Sequence, residues 1–456
     1  HLSLRRQRQM CIRDSLSSLS PEAVSQSLSQ APQRSVLDNG VRVVTEYIPY
    51  VRSISIGVWV TSGSKDDPPS QKGISHFLEH MFFKGTARRD AFQIAHSLES
   101  LGGKLNAFTG KDVTCYYARI LDEHLQVAVD VLSDILANSV FAPEEIEREK
   151  GVVTEEIRDL QDSPDELVHE LFVQSLYEPH PMGFSTLGEE QTVSHLCRDE
   201  LLRHKERFYN AENIVIAAAG NVEHDKMVEV SMANFHFPQV PASPNSPPLP
   251  PPALKIKQIK KEISQVHLCL GRQACPYQAP QRYPLLVLDT LLGTGMSSRL
   301  FQNIREKLGL AYSVYSYLQL FGQTGLFGVY LATDPAKLPK AVELILDEFV
   351  TIKKDGLTKE ELYFTKSKLK GNLVLNLENT SNRMIRIAEQ EIYEGQLHPL
   401  DVTIAAIDAV SEEKIQEVAH WLFDPKKLSL AIVEPQQVDE EETEHRLIGL
   451  LQNGSR

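Results

Sequence analysis

Polar and apolar residues alternate along Ser53-Ile54-Ser55-Ile56-Gly57-Val58-Trp59-Val60. That is the period-two signature of a strand with one covered face. Gln265-Val266-His267-Leu268-Cys269-Leu270 repeats the pattern two hundred residues later. Between such strands the period changes to that of an amphipathic helix, as over Leu125 to Asn138, Ser194 to Phe208 and Leu338 to Lys353. A helix over Ala91 to Leu101 meets Gly102-Gly103, a strong stop, and a hairpin over Asn106 to Ile120 follows. A second hairpin pattern covers Tyr312 to Ala332.

The order of these elements repeats. Tyr209 to Ala217 and Phe423 to Ala431 are each a helix end, a turn and an apolar strand, 214 residues apart by position (423 − 209). The chain therefore reads as a diverged internal repeat. The expected fold class is α+β, with two homologous α/β sandwich domains, each a mostly antiparallel sheet under a layer of helices. A proline-rich run, Pro241 to Pro252, separates the halves and is expected to be extended and outside any core. The expected division is a disordered or foreign segment at 1–33, a first domain at 34–240, a linker at 241–253, a second domain at 254–436 and an acidic tail at 437–456. The basic, Ser-rich start of the chain reads either as a transit peptide or as foreign sequence. Foreign sequence is favoured because the chain opens with His.

Composition narrows the function. A length of 456 residues exceeds a single core, and a formal net charge of −14 argues against nucleic acid as the main partner. No apolar run reaches the roughly 18 residues of a membrane span. Five cysteines, at 11, 115, 197, 269 and 275, show no paired spacing and fit a reducing compartment. A cytoplasmic protein is the expectation, or a mitochondrial one if the first residues are a transit peptide.

The chemistry sits in Gly73-Ile74-Ser75-His76-Phe77-Leu78-Glu79-His80-Met81, a helical pattern with one apolar side. His76 and His80 are four apart and share a face. Two imidazoles so placed can close on one cation, and Glu79 sits beside them, able to hold a water on it. H-x-x-E-H is the inverted zinc-protease signature. Zinc takes imidazole and carboxylate ligands and leaves a position open in catalytic sites. A third ligand has to come from elsewhere. The stretch Phe141 to Leu160 opens with Pro143 and acidic residues, as a helix start does. Glu149 and Glu156 are two turns apart on one face, with Val152, Val153 and Ile157 beside them. Two carboxylates on a buried face need a positive partner. A solvated acidic helix accounts for Glu144, Glu145 and Glu147 but poorly for this pair.

With these motifs in place, and with Phe83-Lys84-Gly85-Thr86 beside them, the chain resembles the M16 peptidases, the pitrilysin and insulinase family. It is most similar to the mitochondrial processing peptidase and its bacterial relatives, over about residues 34–436. The resemblance implies a zinc metalloendopeptidase with one Zn2+ per chain, bound by His76, His80 and Glu156, with Glu79 as general base. It implies that Glu149 steadies the site. It also implies that Asn106 and Ala107, in Leu101 to Thr109, lie on an edge strand that pairs with an extended substrate. Arg305 and Tyr312, in Arg305 to Tyr312, are implied to reach an active centre from another domain. Peptides or unfolded polypeptides are the implied substrates, and a homodimer the implied assembly. The competing reading is an inactive or structural subunit that binds peptides. The second half has Val287 to Leu291, an apolar helix face without ligands, where the first half has its metal motif.

Overall fold

The structure, a computed structural model, describes residues 31–239 and 247–453. The first half contains strands β1 (Gln33–Val36), β2 (Arg42–Tyr47), β3 (Ser53–Val60), β4 (Lys104–Thr109), β5 (Thr114–Leu121) and β6 (Ile214–Gly220). Its helices are α1 (Ile74–Met81), α2 (Ala91–Glu99), α3 (Leu125–Asn138), α4 (Pro143–Asp162), α5 (Pro164–Tyr177), α6 (Glu190–His195), α7 (Arg198–Phe208) and α8 (His224–Asn234). The second half adds β7 (Ile256–Lys261), β8 (Val266–Ala274), β9 (Ala311–Leu320), β10 (Gly325–Thr333) and β11 (Ser429–Pro435). Its helices are α9 (Arg282–Leu292), α10 (Leu338–Asp355), α11 (Lys359–Asn376), α12 (Thr380–Glu389), α13 (Leu400–Asp408), α14 (Glu412–Leu422) and α15 (Glu440–Asn453).

The two sheets have matching orders. The first runs β1-β2-β6-β3-β5-β4 and the second β7-β11-β8-β10-β9. In each, one pair is parallel, β2 with β6 and β7 with β11, and the neighbouring pairs around it are antiparallel. The edge hairpins β4–β5 and β9–β10 correspond. Thus β2, β6, β3, β5 and β4 match β7, β11, β8, β10 and β9, as expected of a repeat. Helix α9 follows β8 in chain order as α1 follows β3, and its buried residues are mostly apolar.

Each sheet buries one face against its own helices. Val58, Phe77, Leu78, Leu132 and Ile216 share the first core, and Leu268, Leu288, Ile345 and Phe349 the second. The alternation in β3 predicts a wet second face, yet every residue of β3 after Ser53 is buried. The cause is a helix lent by the other half. Helix α12 lies over the first sheet, where Met384, Ile387 and Ala388 pack on Val44, Trp59 and Val215. The polar positions of β3 are satisfied there. Ser55 Oγ lies 2.9 Å from both the Thr380 and the Ser381 hydroxyl, and Trp59 Nε1–H donates to Met384 Sδ at 3.3 Å. Helix α5 does the reverse, placing Leu167, Phe172 and Tyr177 on the second sheet beside Cys269, Leu326 and Ala431. The halves are thereby interlocked through reciprocal helices.

Several expectations change. The first thirty residues lie outside the described residues, and β1 begins at Gln33, the last residue of the segment expected to be disordered or foreign. The visible end of the proline-rich run is packed rather than free of the core. Leu249 lies against the second sheet's outer cluster, and Gln273 Nε2 donates to the Pro250 carbonyl at 3.1 Å. The acidic tail forms α15, and Leu447 and Leu451, four apart on one face, are buried in the second core. The helix expected over Ser194 to Phe208 is two helices, α6 and α7, joined through extended Leu196 and Cys197.

Candidate metal centre

Helix α1 divides into two faces. Ile74, Phe77, Leu78 and Met81 are buried at helical spacing, which leaves His76, Glu79 and His80 on the opposite side. Its start is held from two directions. Gly73 adopts φ 88°, and a Cβ there would come within 2.5 Å of the Leu187 carbonyl, so only glycine fits. Asp67 then accepts from the Gly73 N–H at 2.9 Å and from the Ser75 hydroxyl at 2.5 Å, while burial raises its pKa to about 7. Asp67 carries no motif, and its place six residues before Gly73 is a loop contact that local pattern does not announce.

Helix α4 supplies the carboxylates. Pro143 occupies its first turn, with Glu144 and Glu145 beside it, and Ile146, Glu149, Val153 and Ile157 form its buried stripe. Val152 is a correction: it points outward, 41% exposed, because the stripe follows spacings of three and four and skips it. Glu156 lies at the edge of the stripe, its side chain 40% exposed, and faces α1.

The three expected ligands converge. Glu156 Oε2 is 3.7 Å from His76 Nε2 and 3.6 Å from His80 Nε2. These are too long for hydrogen bonds. They match the edge of a tetrahedron with zinc bonds of about 2.1 Å, which is about 3.4 Å. Among the described residues, His76, His80 and Glu156 form the one cluster of three such donors, all within 4.8 Å of one another. The donor set of two imidazoles and a carboxylate fits zinc.

A further layer of contacts orients His80. His80 Nδ1–H donates to Glu149 Oε2 at 3.2 Å, which leaves the Nε2 lone pair facing Glu156. Lys84 Nζ donates to the other Glu149 oxygen at 2.7 Å. Glu149 is only 2% exposed, so these two donors are what permit its charge. Burial raises the Glu149 pKa, but the hydrogen bonds from His80 and Lys84 outweigh it and hold the group below its ordinary value. Burial, and secondarily the neighbouring His80, lowers the His76 pKa to about 3, so that ring is neutral and ligand-competent near neutral pH. Burial also lowers His80, yet Glu149, Glu156 and Glu79 together lift it above its ordinary value. The carboxylates that favour a proton on His80 equally favour a divalent cation beside it. Glu79 is raised by burial, with the Thr109 hydroxyl and His80 opposing that shift and Glu156 adding to it.

Asn106 and Ala107 lie on β4, which is the edge of the first sheet. Asn106 is exposed, and its Oδ1 accepts the Ala107 N–H at 2.9 Å. Arg305 and Tyr312 lie on the second half. The Arg305 guanidinium sits 5.0 Å from the centre of the Tyr312 ring, and Tyr312 is 75% exposed at the bulged start of β9. Among the described residues no hydrogen bond or ion pair joins either of them to His76, Glu79, His80 or Glu156. His169 and His180 have partners away from this cluster. His169 Nε2 lies 3.0 Å from the Tyr315 hydroxyl, and His180 Nδ1 accepts from Met182 N at 3.0 Å. Lys84 and Thr109 fall within sequence motifs that assign them no role. What signals them is contact with Glu149 and Glu79.

The sequence model for the insulinase family, peptidase family M16, matches residues 42–190, which include His76, Glu79, His80 and Glu156. The model for the peptidase M16 inactive domain matches residues 195–369. A Bacillus subtilis protein named the uncharacterized zinc protease YmxG is 40% identical over 405 residues, 88% of this chain and 98% of its own. The chain belongs to peptidase family M16. A Streptomyces coelicolor relative of the same naming, the uncharacterized zinc protease SCO5738, is 38% identical over 88% of this chain and 89% of its own. The fold matches the crystal structure of a protease from Helicobacter pylori with a TM-score of 0.84, at 22% identity, covering 90% of this chain and all of that one. Among the described residues no helix of this M16 chain is long and apolar enough to cross a membrane.

Proposed function

We propose that this chain is a zinc-dependent metalloendopeptidase that cleaves extended peptides. The observation that carries the reading is the convergence of two imidazoles and one carboxylate with Glu79 on the same helix, between and beside the two His ligands. His76, His80 and Glu156 would hold one zinc per chain. The bound ion would supply a Lewis acid and an acidified water at neutral pH. Glu79 accepts the proton of the attacking water and returns it to the leaving amine. Its half-buried position strengthens it as a base relative to a solvated carboxylate. The free edge of β4, at Asn106 and Ala107, pairs with substrate backbone, which tolerates varied sequences. Arg305 and Tyr312 hold substrate and donate to the developing oxyanion in the site of a second copy of the chain. The relatives named zinc proteases support this reading. An inactive peptide-binding subunit is the alternative, and the complete ligand set and base speak against it. Incubating the purified protein with a mixed peptide library is expected to give internal cleavages that a chelator abolishes and zinc restores. Cleavage indifferent to the chelator, or none by folded, zinc-loaded protein, would overturn the reading.

The layer behind His80 has its own consequence. Glu149→Gln should lower zinc affinity about 10–100-fold, as losses of such supporting bonds do. Lys84→Met should act in the same direction and less strongly, since it leaves the His80 bond in place. Chelator-competition titrations measure both. Unchanged affinity in Glu149→Gln would show that His80 is oriented without it.

A further inference from the structure

Glu79 is tied to an element that no role for Glu79 alone requires. Thr109, the last residue of β4, donates its hydroxyl hydrogen to Glu79 Oε2 at 2.5 Å. Among the described residues this is the one hydrogen bond to the Glu79 side chain. A carboxylate on a flexible stem turns about its last bond. Held at Oε2, it has a fixed plane, and Oε1 keeps one direction in which to take a proton.

The donor belongs to the edge strand. Side chains alternate along β4, so Leu105, Ala107 and Thr109 share the face toward α1, where Leu105 and Ala107 pack on the first core. Asn106 and Phe108 take the other face, with Phe108 packed against Trp59. The outward N–H of Ala107 is covered by the side chain of Asn106. A peptide strand added to this edge must move that amide and take over the N–H. It thereby stiffens β4 two residues from Thr109, on the same face.

The plainer account of Thr109 is a strand-end hydroxyl finding the nearest acceptor. Its cross-strand partner shows what that looks like. Thr114 gives its hydroxyl to the Ser62 carbonyl at 3.0 Å, a backbone bond within the frame. Thr109 instead reaches a side chain on a different element, thirty residues away in sequence, and that side chain is the base.

We propose that Thr109 is a positioning residue that couples peptide pairing on the edge of β4 to the orientation of Glu79. The proposal rests on the reading of Glu79 as general base. Substrate docking orders the strand, the strand orders the Thr109 hydroxyl, and the hydroxyl aims the carboxylate.

Thr109→Val keeps the branched shape and removes the donor, while Thr109→Ser keeps the donor. Three quantities are measured on each: kcat and KM on a cleaved peptide, zinc affinity by chelator competition, and melting temperature. Peptide binding is also measured on Glu79→Gln with and without Thr109→Val. Thr109→Val is expected to lower kcat about 10–100-fold, the scale of a misplaced reacting group. KM, zinc affinity and melting temperature should hold near the parent values, peptide binding to the Glu79→Gln chain should not change, and Thr109→Ser should recover most of kcat. Full kcat in Thr109→Val would overturn the coupling. So would a parallel fall in zinc affinity or melting temperature, or a serine variant no better than valine. Turnover surviving in Glu79→Gln would instead bring down the general-base reading, and the coupling with it. A dead Glu79→Gln beside a fully active Thr109→Val would reject the coupling alone.

Discussion

Glu79→Gln is expected to bind zinc as the parent does and to lose nearly all peptide hydrolysis. The glutamine side chain has the size and shape of the glutamate, and its carbonyl can still accept from Thr109, so the local geometry survives. What it lacks is a basic oxygen near neutral pH. Loss of a general base costs at least about 10²–10⁴-fold, and more where the site depends on it for both proton transfers. Glu79 stands outside the three-donor cluster of His76, His80 and Glu156, so metal content should not follow activity. Elemental analysis and a peptide assay on the same preparation decide the matter. Full activity would remove Glu79 from the mechanism, and zinc lost together with activity would make it a ligand. His76→Ala is the converse. It deletes one of two imidazoles, and stoichiometric zinc should disappear.

Much of this site is legible in the sequence because its geometry is local. A four-residue spacing places His76 and His80 on one helix face whatever surrounds the helix, and a seven-residue spacing does nearly the same for Glu149 and Glu156. The pairing of α1 with α4 is a different matter. Periodicity gives two carboxylates on the inner side of α4. The assignment of Glu156 as ligand, with Glu149 behind it, rests on family likeness. Glu156 faces both Nε2 atoms, and Glu149 faces His80 Nδ1 and Lys84. The strands were legible as strands, but their burial was not. Alternation in β3 speaks of one covered face, and nothing near residue 55 says that residues 380–388 will cover the other. Asp67, Lys84 and Thr109 are not legible for the same reason: each acts through long-range contacts, and a single polar residue in a loop or at a strand end carries no period. Leu447 and Leu451 were hidden by the charges around them in an acidic segment.

Two inactive chains, one carrying Glu79→Gln and the other Tyr312→Phe, are expected to regain activity when mixed and allowed to exchange subunits. Tyr312 is exposed, paired with Arg305, and bonded to none of the metal-site residues of its own chain. An exposed Tyr–Arg pair at the bulged start of an edge strand is poorly explained by stability, since surface contacts of this kind add little. It is well placed to act on another molecule. In a symmetric dimer each surface meets its counterpart, so two identical sites would each take Tyr312 from the opposite chain. A mixed dimer then has one site with both defects and one with neither, because the intact Glu79 and the intact Tyr312 come from different chains. If Tyr312 instead served the site of its own chain, every site in the mixture would keep one defect and no activity would return. Recovery toward a quarter of parental activity is the expectation for equal, random exchange, since about half the dimers are mixed and each has one working site of two. Exchange is confirmed by mass tagging of one chain. Absence of recovery despite confirmed exchange would place Tyr312 in cis or outside the reaction, and full activity in a strictly monomeric protein would reject the shared site altogether.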